Sequence, residues 1–236
     1  MITLGIDLAS MPADTAACLV RWERGRAIAA APRVGCTDAD LDALIREADV
    51  IGIDAPFGWP EAFRAAVADW TATTWTDNDA LRTNLRLRLT DRHVREQLGL
   101  MPLSVSTDRI ALPAMRAMAL LRRHGVTDHS GDGRFYEVYP AGSLKAWKLP
   151  HRGYKGPGKP ERTQRTATLR RLRAALPWLQ IPAACAATDH GLDALLAALT
   201  ARCCTTGDST TPPGTERPVA ACEGWIHLPT AWPAAD

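Results

Sequence analysis

Two short apolar segments that each end in an aspartate constrain the fold of this chain more than any other feature. Residues 2–6 alternate between apolar and less apolar side chains before Asp7, which is the period-two pattern of a half-buried strand. Residues 50–53 form a second apolar run that ends in Asp54. Aspartate also starts turns, and one such residue alone would indicate no more than that. Two strands that each end in a carboxylate predict a site at one edge of a sheet.

The composition is that of a globular protein with room for a full core. The chain has 236 residues, 46% of them hydrophobic and 23% charged, with a net charge of +2. We therefore predict a single domain over residues 1–236. No apolar run approaches the roughly 20 residues that span a bilayer, and Met1 leads directly into the first strand. These features predict a cytoplasmic protein without a membrane partner.

The first fifty residues predict an antiparallel meander followed by a crossover. After the strand that ends at Asp7, strands are expected over residues 15–22 and 27–31, with Gly25 in the connecting turn. Thr37 or Asp38 can cap a helix that leads into the strand ending at Asp54. A strand, a helix and a further strand predict parallel pairing with a right-handed crossover.

The rest of the chain predicts a largely helical insertion over about residues 60–133 and then a second mixed region. Its expected elements are a strand over residues 134–140 with Glu137 at its centre, helices over 161–176 and 188–203, a flexible loop over about 205–218, and a strand-like piece over 221–229.

Two acids lie on the last predicted helix. Asp189 and Asp193 are four residues apart and border its leucine-rich face. Asp189 has the alternative role of a helix cap. Asp193 lies inside the helix, where aspartate is a poor helix former, and this position favours a functional role.

A group of converging carboxylates predicts a bound cation. Asp7, Asp54 and Asp193 have no Lys or Arg beside them in the sequence, so their mutual repulsion would need another source of positive charge. A set of oxygen ligands suits Mg²⁺ or Mn²⁺, and two such ions can catalyse phosphodiester hydrolysis.

Six motifs resemble one protein family, in the same order along nearly the whole chain. The sequence is similar to the family called domain of unknown function 429, whose members are described as predicted nucleases with a ribonuclease H-like fold. The motifs are Gly5-Ile6-Asp7-Leu8-Ala9, Ile53-Asp54-Ala55-Pro56, Arg88-Leu89-Thr90-Asp91, Glu137-Val138-Tyr139-Pro140, Asp189-His190-Gly191-Leu192-Asp193-Ala194 and Glu223-Gly224-Trp225-Ile226-His227-Leu228-Pro229.

The resemblance implies an α/β fold whose mixed sheet has three antiparallel strands followed by parallel strands, with helices on both faces. It also implies a metal-dependent nuclease site with Asp7, Asp54 and Asp193 at the catalytic and metal-binding positions. Glu137 would be a further catalytic carboxylate, and Asp189 a further metal ligand.

Positive charge is concentrated between residues 145 and 173, which include ten Lys or Arg and one acid. Such a stretch can contact phosphates without reading sequence, or can be a solvated helix face. Arg88 belongs to a second basic run, although it too can be an ordinary side chain beside a helix cap. The predicted substrate-binding residues are Arg88, Lys145, Arg152, Tyr154, Lys155 and Lys159.

Three functions are compatible with these features. The first is a nuclease that hydrolyses nucleic acid with Mg²⁺ or Mn²⁺ at the carboxylates. The second is a nucleic-acid-binding or partner-binding module on the same fold without turnover. The third is a nucleotide-dependent phosphotransferase, which would need a second similar half and a Gly-rich phosphate loop.

Overall fold

The first three strands form the predicted antiparallel meander. The computed structural model describes residues 1–71, 75 and 78–235. The hairpin between the second and third strands turns at Gly25, whose φ of 72° suits glycine. Each of these strands pairs with the next in antiparallel register; they are β1 (Ile2–Asp7), β2 (Ala16–Glu23) and β3 (Arg26–Ala29).

The crossover to a parallel strand also follows the prediction. A short strand, β4 (Arg33–Val34), pairs with β2 and leads to helix α1 (Asp38–Glu47). The N-terminus of α1 is fixed by a capping box between Thr37 and Asp40. The chain then enters β5 (Val50–Asp54), which runs parallel to β1.

Among the described residues, four helices lie between β5 and the next strand, where the helical insertion is predicted. Residues 72–74, 76 and 77 of that predicted insertion lie outside the described residues, as does residue 236 of the predicted domain. The helices are α2 (Glu61–Ala68), α3 (Asp79–Arg86), α4 (Leu89–Leu98) and α5 (Ala111–Arg123).

The C-terminal part of the chain departs from the prediction at Pro140 and at a short helix near the end. Pro140 was expected to close a strand, but it is the first residue of a helix, where its missing N–H is not needed. Residues 217–223 are helical rather than part of a loop and a strand, and they leave a strand of only two residues. The elements are β6 (Phe135–Val138), α6 (Pro140–Ala146), α7 (Lys159–Ala175), β7 (Leu179–Gln180), α8 (Asp189–Thr206), α9 (Arg217–Glu223) and β8 (Ile226–His227).

The strands form one mixed sheet with helices on both faces. Its order is β7-β3-β2-β1-β5-β6-β8, and β4 pairs with β2 off this path. The leucines of α8 pack with α7 and with β2 on one face, while α1 and α5 pack against β1 and β5 on the other. This confirms the predicted α/β fold class and is consistent with a ribonuclease H-like fold. Within the described ranges, no helix has the length and apolar content needed to cross a bilayer.

Candidate metal centre

Two of the predicted carboxylates lie side by side at the end of the sheet. Asp7 is the last residue of β1 and Asp54 the last of β5, and the two are partners in the parallel ladder. Neighbouring strands are about 4.8 Å apart, and the carboxyl ends of parallel strands share an edge. The topology therefore places both acids at one point of the molecule.

Helix α8 brings the third carboxylate to the same point because two glycines allow it to approach the sheet. Gly5 and Gly52 are paired in register two residues before the two acids. A Cβ atom at Gly5 would overlap the backbone of Ala194. Asp193, the residue before Ala194, is buried and reaches the strand ends. One carboxylate oxygen from each of Asp7, Asp54 and Asp193 lies within 4.8 Å of the others.

The cluster carries unbalanced negative charge. Burial raises the pKa of Asp54 well above its ordinary value, and the charges of Asp7 and Asp193 add to this effect, while Lys155 opposes it. Burial also raises the pKa of Asp193 to about 6. The site therefore favours either a proton or an additional cation.

The other two acids are held by specific partners. His190 Nδ1 lies 2.6 Å from Asp7 Oδ2, and this hydrogen bond raises the pKa of the imidazole. The Tyr154 hydroxyl donates to Asp193 Oδ1 at 2.8 Å, and Lys155 Nζ lies 2.8 Å from Asp193 Oδ2. Burial raises the pKa of Tyr154, so the phenol keeps the proton that it donates.

Two of these contacts change the roles expected from the sequence. Tyr154 and Lys155 were predicted to bind substrate, but in the structure both contact Asp193. His190 is the histidine that the sequence places beside the predicted site, in a structural or supporting role, and its contact with Asp7 agrees with that expectation. His190 and Asp193 are three residues apart and lie on one side of a helix.

Asp189 does not join the cluster, contrary to its expected role as a metal ligand. Its Oδ2 accepts a hydrogen bond from the Gly156 N–H at 2.9 Å, and this contact ties the loop before α7 to the start of α8. Asp189 is not the helix cap either, because Thr188 Oγ1 accepts the Gly191 N–H.

A buried arginine binds the backbone of the loop that precedes α7. Arg165 donates to the carbonyl oxygens of Tyr154 and Gly156 at 2.7 and 2.8 Å, and to those of Ala186 and Ala187 at 3.2 Å. Its side chain is 2% exposed, so it positions the loop and is not available to a phosphate. The sequence alone did not separate Arg165 from the exposed basic residues beside it.

Glu137 and Arg88 form a separate buried network, contrary to their expected roles in catalysis and substrate binding. Arg88 donates to both carboxylate oxygens of Glu137, at 2.7 and 2.8 Å, and to Asp91 at 3.0 Å. Both Arg88 and Glu137 are 2% exposed. Their atoms are occupied by each other and by the Phe57 N–H, so a structural role replaces the expected contact of Arg88 with substrate.

The remaining basic residues of the prediction lie around the loop and the start of α7. Arg152 and Lys159 are exposed, and Lys145 is half-buried. Lys159 is the first residue of α7 and lines a shallow cavity of about 470 Å³ on the outer face of that helix. The other residues that line it are Arg162, Thr163, Thr166 and Arg170.

The donor set fits a hard divalent cation. Asp7, Asp54 and Asp193 offer only carboxylate oxygens, which are the ligands that Mg²⁺ and Mn²⁺ prefer. The convergence of the three carboxylates, together with the raised pKa of Asp54 that burial causes, is the observation that favours such an ion. The contact of Lys155 with Asp193 shows that the cluster already attracts a positive charge.

Comparison with known proteins identified a family for this chain. A family model described as "Protein of unknown function (DUF429)" matches residues 5–217. No curated protein and no solved structure matches the chain significantly. The matched range includes all three clustered aspartates.

Proposed function

Given that this chain belongs to the DUF429 family, we propose from its site that it is a divalent-metal-dependent nuclease, which hydrolyses phosphodiester bonds of nucleic acid. The observation that supports the proposal is the convergence of Asp7, Asp54 and Asp193, whose ligand oxygens lie within 4.8 Å of one another. Three carboxylates this close are electrostatically unfavourable without a cation. A role in holding metal explains why the fold tolerates them.

Asp7, Asp54 and Asp193 would hold Mg²⁺ or Mn²⁺, which supplies Lewis-acid stabilisation of the charge that develops on a phosphoryl oxygen during hydrolysis. The hydrogen bond from His190 fixes the orientation of Asp7, and that from Tyr154 fixes Asp193. His190 is one-third exposed, so it can also exchange a proton with solvent at the edge of the site.

The exposed face of α7 supports a polyanionic substrate. Lys159, Arg162 and Arg170 lie on one side of the helix, and α7 starts three residues after Gly156, which contacts Asp189. A helix of 17 residues is about 25 Å long. The basic face from Lys159 to Arg170 extends over about 17 Å of this length. It suits phosphates of a nucleic-acid backbone, and such contacts do not depend on base sequence.

A cleavage assay over labelled DNA and RNA, single- and double-stranded, with Mg²⁺ or Mn²⁺, tests the proposal. We expect cleavage that stops when the metal is chelated and that falls by about 100-fold or more in Asp7→Asn. Glu47→Gln, at an exposed position on α1, is the matched control and should cleave like the parent. Metal-dependent cleavage that Asp7→Asn retains would refute the assignment.

The second candidate is a binding module without turnover. The contact that favours it is the ion pair of Lys155 with Asp193, because an internal cation balances part of the cluster charge without metal. A module of this kind would bind nucleic acid but cleave none of the substrates, and Asp7→Asn would leave its affinity unchanged.

A further inference from the structure

Lys155 is the one loop residue whose charged group reaches into the carboxylate cluster in the described part of the chain. Its Nζ lies 2.8 Å from Asp193 Oδ2, although its side chain remains 56% exposed. The same ammonium lies 5.8 Å from the centre of the Tyr154 ring. A solvent-accessible lysine is thus paired with a carboxylate that is 2% exposed.

This contact occupies one of the two oxygens of Asp193, and Tyr154 occupies the other. Oδ1 accepts the Tyr154 hydroxyl and Oδ2 faces Lys155. A divalent cation shared by the three aspartates needs an oxygen of Asp193, and it would then lie within a few ångströms of the ammonium group. Two positive charges at that distance repel each other. Metal and ammonium would therefore compete for this oxygen.

The surrounding structure allows the side chain to leave without unfolding the loop. Arg165 holds the backbone of the loop through the carbonyl oxygens of Tyr154 and Gly156. Lysine, by contrast, carries its charge on a flexible four-carbon stem, and the side chain of Lys155 is 56% exposed. A change of side-chain rotamer is enough to free Asp193 Oδ2.

We propose that Lys155 is the resident counter-ion of the metal-free site, and that a divalent cation binds by exchange with its ammonium group. The proposal rests on the proposed metal-binding function and adds a control of metal occupancy. Lys155 lowers the affinity for metal, because each ion that binds must displace it. It also stabilises the empty site, because it balances charge that would otherwise repel.

The first test measures Mn²⁺ binding to the full chain by titration calorimetry, with the parent, Lys155→Met and Lys159→Met. We expect Lys155→Met to bind Mn²⁺ more tightly by roughly 5- to 150-fold, the range of ordinary coupling between two ligands. Lys159→Met removes an equal charge from the nearby start of α7 and should bind like the parent. Equal or weaker binding by Lys155→Met would overturn the proposal.

The second test uses the unmodified chain and so does not depend on how a variant folds. Reductive methylation of lysines, followed by mass spectrometry, is carried out with and without Mn²⁺. The exchange predicts that Mn²⁺ increases methylation of Lys155 several-fold and leaves Lys159 unchanged. Methylation of Lys155 that does not respond to bound Mn²⁺ would overturn it.

The outcomes of these tests distinguish this proposal from the metal-binding function on which it rests. If Mn²⁺ binds with the same affinity to the parent and to Lys155→Met, the site holds metal and only the exchange is refuted. If Mn²⁺ binds to neither protein, both the exchange and the metal-dependent nuclease are refuted.

Discussion

Asp7 at the end of β1 and Asp54 at the end of β5 are direct partners in a parallel ladder. The backbone hydrogen bonds of the sheet hold the two carboxylates together, so neither acid can move away from the other without disrupting a strand. Sites of this kind are maintained at a cost in stability. The cost should be measurable in the absence of metal.

Replacing Asp54 with Asn should stabilise the metal-free protein at pH 8. The raised pKa of Asp54 means that its charged form opposes folding, and this penalty is present above the folded pKa and lost as the pH falls through it. The stability that Asp54→Asn gains over the parent should therefore decrease at acidic pH. Urea denaturation in the presence of a chelator measures this gain in stability.

Mn²⁺ should stabilise the parent protein but not Asp54→Asn. At 100 times its dissociation constant, Mn²⁺ should raise the free energy of unfolding of the parent by about 2.7 kcal/mol, and it should add nothing in Asp54→Asn.

Gly5→Ala should destabilise the protein by about 3 kcal/mol, because overpacking at a rigid contact forces the backbone to shift. The new Cβ atom would overlap the backbone oxygen of Ala194, and α8 would have to move away from the sheet. Gly214→Ala is the control, since no atom lies within 4 Å of its added Cβ; it should change stability by less than about 0.5 kcal/mol. Similar denaturation midpoints for the two variants would contradict the close packing.

Arg88→Met should lower the free energy of unfolding by about 3–5 kcal/mol, since it leaves Glu137 and Asp91 buried without their partner. Arg86→Met, at an exposed position two residues earlier, should cost less than about 0.5 kcal/mol. Denaturant titration distinguishes them. A stable Arg88→Met variant with impaired substrate binding would restore the original assignment of Arg88 to the substrate.

Removing two arginines from the exposed face of α7 should weaken nucleic-acid binding and its dependence on salt. For the variant with Arg162→Ala and Arg170→Ala, the slope of log affinity against log salt should become shallower by about 1.4, or about 0.7 for each phosphate contact to a single strand. Fluorescence anisotropy with a labelled oligonucleotide measures this slope. Arg171→Ala removes a charge about 100° around the same helix and should leave the slope unchanged if the face is specific.

Acid should destabilise the protein through His227. Burial lowers the pKa of this histidine to about 4 from its ordinary 6.5, although its Nε2–H donates to the Ser130 carbonyl. The unfolded chain then binds the proton more readily, so stability falls as the pH drops from about 6.5 to 4, by about 3 kcal/mol. His227→Gln keeps a donor and should lose this portion of the pH dependence. Parallel curves of stability against pH for both proteins would show that His227 is not responsible.

Local signals predicted the N-terminal half of the fold and pointed to all three clustered acids. The capping residues of α1, the turn at Gly25 and the strands ending in Asp7 and Asp54 are all encoded within a few neighbouring residues. The roles of Glu137 and Arg88 are not encoded locally, because they depend on a contact between residues 49 positions apart. The sequence places Glu137 at the centre of a predicted strand, but only the folded chain shows that its partner is Arg88.

The tripeptide Gly-Ile-Asp occurs at the end of both central parallel strands, as residues 5–7 and 52–54. Side chains two apart on a strand share a face, so each glycine leaves room for α8 on the side where its aspartate projects. The two glycines therefore allow α8 to lie close to the sheet, and this brings Asp193 next to Asp7 and Asp54. Among relatives, we expect the two glycines to occur together with the two aspartates. In a chain that keeps both aspartates but replaces either glycine, α8 could not pack at this distance from the sheet, and the third carboxylate would not reach the other two.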